Sequence, residues 1–592
     1  MAENLTRAGG AGPAGISAES IRAQLARIVA SKEFVNSDRI RRFLRFAVER
    51  VIAGRGHEIK EYLLGVEVFD KKPSFDPRID PIVRVEARRL RSKLNKYYQG
   101  EGANDPLWIE LPKGCYAPMI RRREAVLAER EPAQAARAPR ENIAVLPFAN
   151  LSADAENEYF SDGLTEELIH ALTKVEGLHV VASASAFQFK GAGRDIRKIG
   201  EQLRVGTVLE GSVRRAGERL RVTAQLIDVA EGVYLWSETY ERKMKDVFAI
   251  QDEISRAIVH KLRVELAEGP GALAARPLVE QRTENLLAYN LYLRGRYCWN
   301  HRTEERLLKG IEYFEAAIAE DPRFASAYVG LADSYALLGQ YGMVAPHEVM
   351  PKAKAAAEKA LEIDDRLGEA HASLGLVRSL YDWNWTDAER HYQRAIRLNP
   401  GCAAAHHWYA IDYLAVLGRI DEAYTEILRA QSLDPLSLII NTNLGDILLI
   451  RRQYEQAMEQ YRKTLDLDPN FYRTHWDLGW AYQEKGQFEE AVAAFEKARE
   501  LSGGSPLILG DLGSCYALWG KRDKATELLE ELLELGRRRY VSPVNIAVVH
   551  FGLEQYDQGF AWLRRACDER DCRLAWLREY PMYSRLRSDP RF

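Results

Sequence analysis

Over its C-terminal half the chain repeats itself every 34 or 35 residues, a period that admits little but a stack of similar supersecondary units. The marker is a Leu-Gly pair or a close variant, at Leu374-Gly375, Tyr409-Ala410, Leu444-Gly445, Leu478-Gly479 and Leu512-Gly513. Residues 474–501 show the fullest form, with Leu478, Gly479, Tyr482, Gly486, Phe488, Ala491, Phe495 and Ala498. Two antiparallel helices pack closely only where small side chains sit at their crossing, so Gly or Ala falls on both helices while aromatics fill the wider gaps. A proline such as Pro469 then stops the second helix, because its ring cannot continue the hydrogen-bond ladder. About eight units phase between Leu286 and the C-terminus. The first is loose, around Gly295, Gly310, Phe314, Ala317 and Asp321-Pro322, and the second carries an insertion at 341–346. The last, with Ala547, Tyr556, Gly559 and Ala566, ends in a capping-like stretch at 586–592.

This pattern is identified as the tetratricopeptide repeat (TPR). The resemblance implies an α-solenoid of helix pairs over 286–592 whose concave face is a groove for a protein partner.

A chain of 592 residues, 46% hydrophobic and 29% charged, has material for several cores. No run approaches the roughly 18 apolar residues of a membrane span, and the start, with Glu3 among Gly and Ala, lacks the hydrophobic core of a signal peptide. The expectation is a cytoplasmic protein with no membrane span. The six cysteines are scattered without metal-ligand spacing and read as packing residues in a reducing compartment, with Cys567 and Cys572 as an alternative redox pair. The net charge of −3 conceals an asymmetry: residues 1–125 hold 24 Lys+Arg against 16 Asp+Glu, a net +8, leaving −11 for the rest. The two ends are expected to meet different partners.

In the basic block, after a flexible start at 1–16, a capped amphipathic helix is expected from Ser17, with Ile21, Leu25 and Ile28 inward. A second follows over 37–53, burying Ile40, Phe43, Leu44, Ala47 and Val51. Asp80 and Pro81 read as N-cap and first position of a third helix, 82–98, with Val83, Ala87, Leu90, Leu94 and Tyr97 inward. Arg84, Arg88, Arg91 and Asn95 share another face, flanked by Arg89, Lys93 and Lys96. Two short strands are expected within 108–120 around a Pro-Lys-Gly turn at 112–114. Guanidinium groups on successive turns reach phosphates and guanine edges together, which favours DNA as the partner; the same face also reads as a solvated surface.

Val83, Val85, Ala87, Arg89, Leu90, Arg91 and Leu94 resemble the third-helix pattern of the OmpR/PhoB-type winged-helix domain, with Ala87 for isoleucine and Ala117 where that family's wing carries arginine. The resemblance implies a winged helix-turn-helix at 17–122 that binds DNA through Arg84, Arg88, Arg91 and, on the wing, Lys113.

A linker at 123–141 leads to a segment of different period. Short strands alternate with helices, and a meander at 207–239 carries Leu220, Val222, Ala224 and Leu226 in strict alternation, the mark of a sheet with one buried face. Ile-Ala-Val-Leu-Pro-Phe at 143–148, the run 159–168, Leu-Glu-Gly-Ser-Val at 209–213 and Leu-Trp-Ser-Glu-Thr-Tyr at 235–240 look like the TolB-like domain found ahead of TPR arrays. Relatives of that kind carry an adenylate-cyclase domain or a winged helix in front. The α/β domain is assigned to 142–268, followed by a linker at 269–285. Asn150, Asp162, Glu166 and Glu238 read either as a small-ligand site or as caps and turns.

No GxxxxGK[ST], HExxH or GxSxG motif occurs, and the adjacent His406 and His407 point to different faces of one helix. The expectation is therefore not an enzyme, with no catalytic residue, metal or cofactor. The chain is read as multidomain and mainly α, a DNA-binding transcriptional regulator with a docking array. A TPR scaffold that does not bind DNA is the alternative.

Overall fold

The computed structural model describes residues 16–73, 75–77, 80–112, 115–123, 138–152, 154, 157–175, 177–191, 195–262 and 283–592. The chain divides into two compact units, 1–137 and 138–592.

In the first unit Ser17 caps α1 (Ala18–Ala30), its hydroxyl accepting from the Ser20 N–H at 3.2 Å. The inward stripes of α1 and α2 (Asp38–Ile52) are buried as expected, except that Val48 fills the place assigned to Val51, which is half-buried. A short α3 (Glu61–Glu67) precedes α4 (Ile82–Gln99), whose start is fixed by Asp80, a carboxylate oxygen accepting from the Ile82 N–H at 3.1 Å. Val83, Ala87, Leu90, Leu94 and Tyr97 all lie in the core. β1 (Leu107–Glu110) and β2 (Met119–Arg122) pair antiparallel, with Ile109 opposite Ile120. Tyr98 ties α4 to this hairpin: its ring stacks on Trp108 at 4.1 Å, and its hydroxyl accepts from the Ile109 N–H at 2.8 Å.

The second unit opens with a mixed sheet built from β3 (Asn142–Val145), β4 (Ala149–Asn150), β5 (His179–Val180), β6 (Thr207–Ala216), β7 (Arg219–Asp228) and β8 (Val233–Lys243). The strand order is β5-β3-β6-β7-β8, with β4 also on β6; β3 is parallel to both neighbours and β6-β7-β8 form an antiparallel meander. Leu220, Val222, Ala224 and Leu226 are buried in one core with helices Glu158–Thr173 and Val247–Leu262. Gly211 links two of the sequence motifs: a Cβ there would stand 2.4 Å from the Thr223 carbonyl oxygen and 2.5 Å from the Phe148 ring, so only glycine lets that ring lie on β6.

From Leu286 to Asp568 sixteen helices form eight antiparallel pairs, among the described residues. In the first, third, fifth and sixth pairs the marker glycine of the first helix seats an aromatic ring from the second. A Cβ on Gly295 would meet Phe314 at 2.5 Å, on Gly445 Tyr461 at 2.3 Å and on Gly479 Phe495 at 2.7 Å. Ala410 and Ala547 stand where other first helices have glycine, and at Ala410 the helix runs as a π turn, Ala410–Leu414. The two helices of a pair are buried unequally. Leu438–Ile450 buries residues around its whole circumference, whereas its partner Tyr454–Leu467 buries only Ala457, Met458, Tyr461 and Thr464. First helices thus line an inner face that is itself covered.

Part of that cover is the sheet domain. Leu293 sits over Gly163, and the Tyr159 hydroxyl donates to Asn290 at 3.1 Å. The Ala182 N–H donates to the Leu433 carbonyl at 2.9 Å, the Ser185 N–H to Asp434 at 2.9 Å and the Gln188 amide to the Leu436 carbonyl at 2.6 Å. Sheet and array form one unit rather than two beads on a linker.

Gly479→Leu should lower the unfolding free energy of the full chain by ~1–3 kcal/mol, because a Cβ there would stand 2.7 Å from the fully buried Phe495 ring and force it to shift. Urea unfolding followed by tryptophan fluorescence measures this; an unchanged midpoint would contradict the seat described here.

Candidate functional site

The arginines assigned to one face of α4 have different surroundings. Arg84 is exposed but its Nε donates to Glu61 at 2.9 Å, and the Tyr116 hydroxyl donates to the same oxygen. These bonds, chiefly that from Arg84, hold the Glu61 carboxyl below its ordinary range. Arg91 is turned along the hairpin, donating to the carbonyls of Leu111 and Pro112 at 2.9 Å and of Cys115 at 3.0 Å. It organises the connection between β1 and β2. Arg88 is exposed and has no ion pair or hydrogen bond among the described residues. Lys113 lies outside the described residues.

Helical spacing places Val85, Ser92 and Asn95 beside Arg88, and all three are exposed, Val85 to 44%. Val85 and Ser92 were missed as surface positions; an apolar residue left bare beside a free arginine was the available signal. Much of the block's positive charge is internally matched: Arg22 pairs with Glu49 at 2.9 Å, Arg42 with Asp70 at 2.8 Å, Arg50 with Glu58 at 2.7 Å and Arg121 with Glu110 at 2.6 Å. The free charge of α4 is narrower than the sequence count suggests.

Of the four residues considered for a ligand in the second unit, Asp162 and Glu166 lie one turn apart on the helix Glu158–Thr173, while Asn150 lies on β4 and Glu238 on β8. Asp162 is gripped by Lys190 at 2.6 Å, Glu166 lies 3.7 Å from Arg296 and bonds Asn300, Asn150 accepts from the Ser152 N–H at 2.9 Å, and Glu238 accepts from Trp236 and Tyr240 at 3.3 Å. Burial, outweighing Lys190, pushes the Asp162 carboxyl up to about 6. His406 and His407 diverge as expected, the first to Glu426 at 2.6 Å and the second to Asn443 at 2.8 Å.

Sequence reading did not find the polar chain on the inner face of the array. Asn443 donates to Asp446 at 2.7 Å, and Tyr461 donates to the other oxygen of Asp446 at 2.7 Å. Arg473 reaches Asp477 at 2.9 Å and Asp446 at 3.5 Å; Arg573 reaches Asp511 at 3.1 Å, with the Trp476 indole donating to Asp511 at 2.9 Å. Asp412, on the π turn, is 1% exposed and accepts from Gln340 at 3.0 Å through one oxygen, while the other has no partner among the described residues. Burial pushes its carboxyl up to about 8, against the lowering by Arg473 and Gln340.

Residues 139–257 match the family described as HilA/YgeH-like transcriptional regulator, second domain, and 383–437, 445–486 and 472–505 match TPR families. Over 273 residues, 45% of this chain and 44% of the other, the chain is 37% identical to "Putative adenylate cyclase 3" of Rhizobium meliloti. Over 145 residues, 24% of this chain and 26% of the other, it is 28% identical to "Transcriptional regulator HilA" of Salmonella typhimurium. The chain thus spans less than half the length of these curated relatives. The solved structure of Pseudomonas aeruginosa pilF, 25% identical, covers 34% of this chain and 91% of that one at a TM-score of 0.27, a value that carries no structural argument. TPR repeats, which indicate protein partners, and a HilA-like regulator domain are therefore present. No helix among the described residues is long and apolar enough to cross a membrane. The expectation that the chain is not an enzyme is corrected by the Rhizobium relative, whose name is that of an enzyme. Missing short motifs were too narrow a ground for that exclusion.

Arg91→Ala should leave three backbone carbonyls without their donor and speed hydrogen exchange of the 107–122 amides, whereas Arg88→Ala should change stability by no more than ~0.5 kcal/mol. Exchange mass spectrometry of both variants decides this, and equal protection would contradict the assignment of Arg91 to the hairpin.

For Asp412 the folded carboxyl keeps its proton up to about pH 8, while the unfolded one releases it near 3.8. Between those values rising pH costs folding free energy, a cost that Asp412→Asn removes. The variant's stability advantage should therefore widen from pH 5 to pH 8 in urea titrations. A constant difference would contradict the burial of this carboxyl.

Proposed function

We propose that the chain is a DNA-binding transcriptional regulator. Residues 17–122 act as a winged helix-turn-helix of the OmpR/PhoB type, 142–268 as a TolB-like sensory or assembly domain, and 286–592 as the docking array. The observation that carries this reading is Arg88, without an ion pair or hydrogen bond among the described residues, in mid-helix within the exposed stripe Val85, Arg88, Ser92 and Asn95. A forked donor beside an apolar side chain and an amide is the equipment that reads guanine, the thymine methyl and adenine in a major groove. In the proposal Arg84 contacts the phosphate backbone once Glu61 yields it, Lys113 contacts it from the wing, and Arg91 acts by shaping that wing. The name of the Salmonella relative and the regulator-family match at 139–257 support transcription as the output.

A second reading rests on the Rhizobium relative: the chain forms cyclic AMP from ATP. Cyclic AMP produced by the purified chain with ATP and Mg²⁺ or Mn²⁺, above the protein-free control, supports it, and none sets it aside.

Fluorescence anisotropy of the full chain on sites selected from a randomised DNA pool should show Arg88→Ala losing ~1–3 kcal/mol on the selected site with relaxed selectivity if Arg88 meets a base edge. A uniform loss with a salt slope smaller by about one places it on phosphate. A wild-type chain that binds no DNA at ~50 mM salt would overturn the regulator reading in favour of the scaffold.

A further inference from the structure

The inner face of the array is filled by the chain's own C-terminal segment. After the last helix, Tyr556–Asp568, residues 571–586 form two 3-10 turns, Cys572–Trp576 and Pro581–Leu586, that run back among the first helices. Just ahead of them Arg570 donates to the Tyr381 carbonyl at 3.0 Å. The Trp576 indole donates to the Ile411 carbonyl at 3.4 Å, and the Tyr580 hydroxyl to Asp446 at 3.5 Å while its ring meets Trp480 edge-on at 5.4 Å. Arg573 pairs with Asp511 at 3.1 Å and also donates to Asn545. These contacts touch every helix pair from the third to the eighth.

The resident segment fits imperfectly. Asp412 Oδ2, Asp477 Oδ1, Trp480 Nε1, Tyr540 Oη and Asn545 Nδ2 are buried with no hydrogen-bond partner among the described residues, although such atoms are ordinarily satisfied. All five flank it: Trp480 packs on Tyr580, Asn545 holds Arg573 by its other amide atom, and the remaining three act electrostatically on Asp571, Cys572 or Tyr580. Among the described residues four carboxyl groups, Asp412, Asp446, Asp477 and Asp511, share two arginines, Arg473 and Arg573. Burial holds Asp412, Asp477 and Asp511 toward their protonated forms, so a further cation brought into the groove would favour their ionisation. Short 3-10 turns carry little stability of their own, so the segment is held by these side-chain contacts. Its composition shows what the groove accepts: residues 570–586 contain four arginines, one tryptophan and two tyrosines.

We propose that this inner groove is a docking site for a basic segment of a partner protein that carries arginine and aromatic side chains, and that residues 571–586 occupy the site in cis until such a segment displaces them. A partner supplying one more cation than the resident reaches the unsatisfied oxygens of Asp412 and Asp477, which gives it the advantage in the exchange. The proposal rests on the reading of the array as a protein-docking element and is independent of DNA binding, so a failed DNA assay leaves it standing.

The test uses the full chain, a chain ending at Arg570, and a fluorescein-labelled synthetic peptide of residues 570–586. The shortened chain should bind the peptide, and the full chain should bind it at least about tenfold more weakly, since a site self-occupied in about nine molecules of ten loses that factor. The same peptide with Arg573→Gln should bind the shortened chain about tenfold more weakly. A shortened chain that keeps its circular dichroism and melting temperature yet does not bind, or equal binding by the two chains, overturns the proposal. Should the shortened chain fail to fold, full-length Arg573→Gln decides: tighter peptide binding than the unaltered chain, by about threefold or more, upholds the proposal, and equal binding overturns it.

Discussion

The array depends on one repeated contact, an aromatic ring laid on a helical glycine. Phe314 on Gly295, Tyr392 on Gly375, Tyr461 on Gly445 and Phe495 on Gly479 set how near the two helices of a pair approach. That spacing fixes the pitch at which pairs stack, and stacking turns every first helix toward one inner face. A Cβ at these positions has nowhere to go in a close-packed interior, so the repeat is specified by steric exclusion more than by hydrophobicity.

What the inner face contains follows from that geometry. First helices converge, so polar side chains on them are buried together rather than spread over solvent. Asn443, Asp477 and Asp511 recur two residues before the marker glycine of three successive first helices, with Asp446 three residues beyond Asn443, and the aspartate carboxyls cannot all be bare in a dry interior. Arg473 and Arg573, one from the array and one from the C-terminal segment, neutralise part of this charge, and burial raises the Asp412, Asp477 and Asp511 carboxyls. The sheet domain docks on the array at the end of the helix Ile420–Leu433, where the Asp434 carboxyl accepts from the Ser185 N–H. Sheet and array are thus one body.

Local pattern carried much of this into the sequence. The helix pairs, the alternating strand β7, the inward stripes of α1 and α4, and the Asp80 start of α4 are short-range properties, set by periods of 3.6 and 2 and by capping chemistry. What could not be read is long-range. Nothing near Arg91 says that its guanidinium will meet carbonyls twenty and more residues away, and nothing near Arg573 says that it will meet Asp511. The arginine face of α4 was legible as a pattern; which of its members remain free depends on Glu61 and the hairpin, brought there by the fold. The α/β domain likewise read as a separate piece, because its docking residues Tyr159, Ser185 and Gln188 carry no local mark of an interface.

The central claim is that this chain places its first unit on chosen DNA sequences. Genome-wide occupancy of the full chain, mapped in its host beside an Arg88→Ala form at matched protein level, tests it most directly. The account predicts discrete sites that share a sequence motif and fade in the variant. Occupancy no different from input DNA, or the same sites at the same height in both forms, would contradict it.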